Sequence, residues 1–151
     1  KLTIKTAKAG GKLPLKTVTA KFVAPVRDYN KNDLNNWSAV IHVTYNKNKF
    51  LFTGDAEKAA ETDMVKMKQT LQADVIKVGH HGAKTSSNSE FLKLVKPKYA
   101  VISVGKNAYG HPTKDVLNRY KAVKATVYRT DQKGNIVISS TGTKISVSTS
   151  R

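Results

Sequence analysis

The chain has 151 residues, 39% of them apolar and 7% aromatic. That is one domain's length, enough to bury roughly 70% of the surface an unfolded chain exposes. It has no cysteine, which excludes disulfides and thiolate metal sites, and no apolar run long enough to span a bilayer; no signal peptide is expected at its start. Charge is the outlier: 27 Lys and Arg against 10 Asp and Glu give +17. Such an excess favours polyanions: nucleic acid, teichoic acid or an anionic membrane surface. The basic residues are spread along the chain without a block, and only four are arginine (27, 119, 129, 151). Base-specific reading leans on Arg, so non-specific attraction is the expectation.

In chain order, residues 1–15 read as short β pieces broken by Gly10-Gly11 and Pro14. Val18–Val23 alternates like a strand, and 25–36 is an Asn/Asp-rich loop. Trp37–Tyr45 and Lys49–Thr53 form a hairpin around Asn46-Lys47-Asn48. The spacing of Ala56, Ala59, Ala60, Met64, Met67 and Leu71 predicts an amphipathic helix over 56–72, its methionines in the core. Ala73–Val78 is a short buried strand that runs into Gly79-His80-His81-Gly82. Ser87-x-x-Glu90 reads as a capping box opening a helix that Pro97 stops. Tyr99–Val104 is a strand, 105–112 a loop with Gly110-His111-Pro112, and 113–123 a helix. Strands at 126–130, 135–139 and 144–148 close the chain.

Three strands each end in a short polar motif: LFTGD, VIKVGHHG and VISVGKNAYGHP. Helices join the first to the second and the second to the third. Such crossovers link parallel strands, so the three carboxyl ends should share one sheet edge, where open α/β sheets place ligands. Asp55, His80, His81 and His111 should therefore converge. Asp55 has a plainer alternative as the helix N-cap, and His111 as a loop histidine. His42, inside a strand, reads as a sheet-face residue. Asp with His is ligand chemistry for zinc, manganese or iron rather than calcium. One hydrolytic metal wants three protein ligands, and neither H-x-H-x-D-H nor H-E-x-x-H occurs here.

Seven motifs stand in order: N-N-x-S (Asn35, Asn36, Ser38), F-L-F-T-G-D (50–55), V-I-K-V-G-H-H-G (75–82), T-S-S through V-K-P-K (85–98), A-V-I-S-V-G (100–105), Y-G-H-P (109–112) and V-Y-R-T-D-x-x-G-x-I (127–136). Together they resemble the metallo-β-lactamase-fold domain of the ComEC competence proteins and their secreted stand-alone relatives, over roughly residues 18–140. The resemblance implies an αβ/βα sandwich with two divalent metals, zinc or manganese, in the complete domain. It puts the bridging ligand on Asp55 and a metal-ligand histidine on His80 or His81, with the other facing the substrate phosphate. His111 would stabilise charge at the rim, and Ser38, Ser86 and Ser87 would support substrate binding. The family's H-x-H-x-D-H motif, which supplies most ligands, lies in the first half of the domain.

By that resemblance residues 1–151 form one domain or half-domain, the second half of the sandwich: a mixed sheet with flanking helices. Without the first half, such a piece is expected to be inactive alone, to bind no metal, and to self-associate through an exposed apolar sheet face. Three functions follow as expectations. The first is a metal-dependent phosphodiesterase or nuclease acting on DNA in competence. The second is a secreted hydrolase of cell-wall phosphodiesters. The third is a non-enzymatic basic module that binds DNA or another polyanion. The location implied is the outside or surface of a bacterial cell.

Overall fold

The computed structural model describes residues 2–151; Lys1, the first residue of the expected β pieces, lies outside them. Seven strands form one sheet in sequence order: β1 (Lys12–Leu13), β2 (Thr19–Ala24), β3 (Val40–Tyr45), β4 (Asn48–Phe52), β5 (Val75–Lys77), β6 (Tyr99–Ile102) and β7 (Thr126–Arg129). The first four are antiparallel neighbours, and β4 through β7 are parallel. Helices α1 (Lys58–Lys66), α2 (Ser89–Val95) and α3 (Lys114–Ala122) are the three crossovers. The mixed α/β sheet with flanking helices is thus the expected class, and β4, β5 and β6 do share a carboxyl edge.

The core lies between this sheet and the helices. Val23, Val40, Leu51, Ile76, Ala100 and Ile102 from strands meet Ala60, Met64, Phe91, Leu92, Val95, Val116 and Tyr120 from helices, all fully buried. On the other face, one helical turn, α4 (Thr130–Lys133), leads from β7 into a separate hairpin of β8 (Ile136–Ser140) and β9 (Ile145–Thr149). Ile136 and Ile138 point from β8 toward Phe50, Phe52, Val75 and Val101, leaving a hollow of about 280 Å³. The face expected to be bare is therefore partly roofed by the chain's own last two strands, although Phe52 stays 48% exposed.

Four local expectations need correcting. Helix α1 spans nine residues, not seventeen, because Lys68 turns left-handed (φ 51°) and the Gln69 side chain donates to the Val23 carbonyl at 2.6 Å, drawing the chain back to β2. Met64 is core, but Met67, at the C-cap, is half exposed. The strand expected from Trp37 begins at Val40, since Asp33 caps a short 3-10 turn over Leu34–Trp37. The cap of α2 is Asn88, whose side chain accepts from Phe91 N, and not Ser87. Ser87 is itself left-handed (φ 60°), with its hydroxyl against the Tyr120 hydroxyl at 3.0 Å.

Behind that turn lies a buried acid. Glu61 of α1 accepts from Ser87 N at 2.5 Å and from Asn88 N and Nδ2 at 2.7 Å each. These bonds tie α1 to the start of α2, and Ser87 passes the link on to Tyr120 of α3. Burial pushes the Glu61 carboxyl up to about 7, against the pull of the three N–H donors. An acid with a raised folded-state pKa stabilises fully below its unfolded value of 4.5 and loses that contribution as pH rises through about 7. Thermal melts are therefore expected to show stability falling between pH 5 and 8 by on the order of 1–3 kcal/mol. Glu61→Gln should flatten that slope, and a slope unchanged by the substitution would assign it to other groups.

Candidate functional site

The shared edge is built from three strand exits. After β4 the chain turns through Thr53-Gly54-Asp55, and Thr53 Oγ1 donates to the Lys77 carbonyl at 2.6 Å, locking this turn to β5. Ser38 accepts from Asp55 N at 3.0 Å, and a Cβ on Gly54 would meet the Ser38 side chain at 3.0 Å. Asp55 does not cap α1. Its carboxylate, 43% exposed, stands 3.7 Å from His81 Nε2. Lys77 lies at the same exit, and its ammonium donates to the Val78 carbonyl. Burial holds the Lys77 pKa below the ordinary lysine value, against the pull of Asp55.

The β5 exit carries the histidines. Both are in the left-handed region, His80 at φ 44° and His81 at φ 53°. Neither glycine beside them admits a side chain: a Cβ on Gly79 would lie 2.8 Å from the Ala56 carbonyl, and one on Gly82 2.5 Å from Pro112 Cβ. The tight turn splays the two rings, whose centroids are 6.4 Å apart with planes at 68°. His81 Nδ1 lies 2.7 Å from the Ser103 carbonyl. A carbonyl only accepts, so Nδ1 carries a proton, and in the neutral tautomer the Nε2 lone pair is the one turned toward Asp55.

His80 turns the other way, its Nδ1 2.8 Å from Glu57 Oε1. The same oxygen accepts from Thr85 Oγ1 at 2.8 Å and from Asn35 Nδ2 at 3.2 Å. Glu57 occupies the N-cap position of α1 yet makes no cap bond. Buried Asn36 does that work from a neighbouring turn, accepting from Glu57 N at 3.2 Å and Ala60 N at 2.9 Å while donating to Asp33. Capping from outside the helix leaves the Glu57 carboxylate free for His80. The sequence reading missed Glu57; its only signal was an acid two residues beyond TGD.

From the β6 exit, His111 approaches to 5.7 Å from the His80 ring, centroid to centroid. Burial, with the neighbouring His80 and His81, holds the His111 pKa below the usual imidazole value. Asp55, His80, His81 and His111 therefore do converge. Ser38 reaches the rim through Asp55, whereas Ser86 and Ser87 do not face substrate space: both are fully buried. The Ser86 hydroxyl bonds the Gly79 and Ala83 carbonyls and so braces the histidine turn from behind. His42 is a buried sheet-face residue bonded to the Gln72 carbonyl.

As metal ligands, the Asp55 carboxylate and His81 Nε2 are the right donor types. Their 3.7 Å separation is too long for a hydrogen bond and suits two ligands of one ion, which stand roughly 3–4 Å apart. Fixing the far ring nitrogen on a carbonyl is also how metal-binding imidazoles are oriented. Among the described residues, however, no group of three or more such side chains is arranged to hold a metal. The residues fit part of a metal shell.

The chain is thus an α/β scaffold whose parallel strands present Asp and His from successive turns at one edge. Residues 25–106 match the Metallo-beta-lactamase superfamily, and the chain belongs to it. It is 36% identical over 136 residues to ComE operon protein 3 of Bacillus subtilis (89% of this chain, 17% of that protein). It is 40% identical over 119 residues to Competence protein ComA of Neisseria gonorrhoeae (78% and 17%). To Recombination protein 2 of Haemophilus influenzae it is 38% identical over 103 residues (68% and 13%). The chain thus spans about a sixth of the length of these relatives or less. No helix among the described residues is long and apolar enough to cross a membrane.

Glu57→Ala should release the His80 ring. The expected outcome is loss of the Nδ1-protonated imidazole signature in nitrogen-15 spectra and a cost of about 1–2 kcal/mol in thermal unfolding. An unchanged His80 signal would remove Glu57 as its holder.

Proposed function

We propose that this chain is the part of a metal-dependent phosphodiesterase that supplies a carboxylate and the phosphate-facing imidazoles, and that its substrate is DNA. The observation that carries the reading is the Asp55–His81 pair, oriented by Ser38 and Ser103 and left 3.7 Å apart at the strand edge. Asp55 and His81 would hold the metal in this reading, with the remaining ligands coming from the first half of the domain. When bound, a divalent ion supplies Lewis acidity and an activated water at neutral pH. The chain's own residues do the rest. His80, its Nδ1 pinned by Glu57, presents Nε2 to a phosphoryl oxygen. His111 faces the same space and donates to charge that builds there. The +17 charge gathers the polyanion, and the low arginine count agrees with attraction that ignores sequence. An extracellular or cell-surface site goes with this reading, since one relative carries the name Competence protein ComA.

The full-length natural protein, assayed on a generic phosphodiester with added manganese or zinc, tests the centre of this reading. Asp55→Ala should lower the rate by at least about 100-fold, the upper range for losing even an outer-shell partner. Retained cleavage would take Asp55 out of the mechanism. For the gathering role, affinity of the chain for single-stranded DNA should fall steeply and linearly in log salt, alike for different sequences. Flat salt dependence would leave the charge as a solubility device.

A further inference from the structure

The loop after β6, residues 103–113, holds one aromatic side chain out in solvent. Tyr109 is 83% exposed, more than any other aromatic residue among those described. It belongs to no core cluster. Its ring meets His111 in an offset stack, with centroids 5.7 Å apart and planes at 27°. His111 in turn meets His80 edge-on at 5.7 Å. The ladder Tyr109–His111–His80 therefore runs from open solvent into the phosphate-facing edge.

The loop is braced rather than free. Asn107 Nδ2 donates to the Gly105 and His111 carbonyls at 2.9 and 2.8 Å, and Asn107 Oδ1 accepts from His111 N at 3.0 Å. These three bonds close the loop around Tyr109. His111 further props the ring from one side, which leaves the opposite face open. The surroundings are basic: Lys106 and Lys114 flank the ring in sequence, and no Asp or Glu occurs between Glu90 and Asp115.

Lysines alone suffice to hold a phosphate chain; a flat aromatic surface beside phosphate-facing imidazoles adds something only if the ligand carries a ring. We propose that Tyr109 is a nucleobase-stacking subsite, its open face taking a splayed base whose phosphate lies toward His111 and His80. The polyanion selected is then a single-stranded nucleic acid, since a base stacked inside a duplex has no free face to offer and a polyol phosphate has no base. This rests on the reading above, which places phosphate at the histidines.

Fluorescence anisotropy on the 151-residue chain tests it with two labelled strands of equal phosphate count, one oligothymidylate and one abasic. The wild-type chain should bind the base-bearing strand about 10-fold or more tighter, the range stacking contributes. Tyr109→Ala should erase that preference and leave abasic binding unchanged, while Tyr109→Phe should retain it. Coincident melting curves are expected for all three, because the ring is outside the core. Equal wild-type affinity for both strands with a steep salt slope would overturn the subsite and leave the polyanion reading standing. Failure to bind either strand would overturn both. A preference that survives Tyr109→Ala would overturn the subsite alone.

Discussion

The site depends on a backbone turn that ordinary residues resist. Two successive non-glycine residues in the left-handed region cost on the order of 1–3 kcal/mol each, and His80 and His81 both stand there. The cost is offset locally. His80 N donates to the Gly54 carbonyl and Ala83 N to the His80 carbonyl, while each ring fixes its own Nδ1 on a different strand exit. The turn in turn supplies what a regular continuation of β5 could not. His80 ties its Nδ1 to Glu57 and packs on His111, whereas His81 ties its Nδ1 to Ser103 and faces Asp55, so each ring links the β4 exit to the β6 exit. Gly79 and Gly82 are required because the Ala56 carbonyl and Pro112 occupy the space their side chains would need.

A second tier of support lies one step back. Asn36 caps α1 from outside the helix, and that frees Glu57, at the cap position, to face His80. Glu61, one turn further along α1, ties the same helix to the start of α2. Ser86, buried, closes the back of the histidine turn. Two acceptors on one short helix, Glu57 and Glu61, thus hold the loop between β5 and α2, while the Ser86 hydroxyl ties it from within by donating. Each is a polar group taken out of water with its partners in place, the condition under which buried polar groups order a structure instead of weakening it.

The parallel edge was legible because it follows from chain order alone: strand, polar turn, helix, repeated. The convergence of Asp55, His80, His81 and His111 needed no more than that. Illegible were the features set by partners distant in sequence. Ser87-x-x-Glu90 has the spelling of a capping box, but Glu61 and Tyr120, 26 and 33 residues away, claim Ser87 and move the cap to Asn88. Periodicity carried the first helix six residues past its end because nothing local announces the pull of Gln69 on Val23, 46 positions earlier. The resemblance put Ser86 and Ser87 beside the substrate, and only packing shows that both are buried. Glu57 was invisible for the opposite reason: an acid in a helix's first turn has a sufficient ordinary explanation in the helix dipole.

The charge acquires a sharper meaning from the same network. Most of the ten acids are committed. Asp63 pairs with Arg27, Asp74 with Lys98, Asp115 with Lys84 and Asp131 with Arg129. Glu57 holds His80, Glu61 is buried, and Asp33 braces Asn36. What remains toward solvent is a field made almost wholly of lysine. Such a field reaches only about 8 Å at physiological salt. It can concentrate a polyanion over the whole surface, but it does not distinguish one phosphate chain from another. Discrimination has to come from groups with shape: the splayed imidazoles, the open carboxylate of Asp55 at the strand edge, and the aromatic ring that the β6 loop holds beside them in the proposed reading. In the proposed reading, gathering and choosing are thus separated, the first spread over the surface and the second confined to one strand edge.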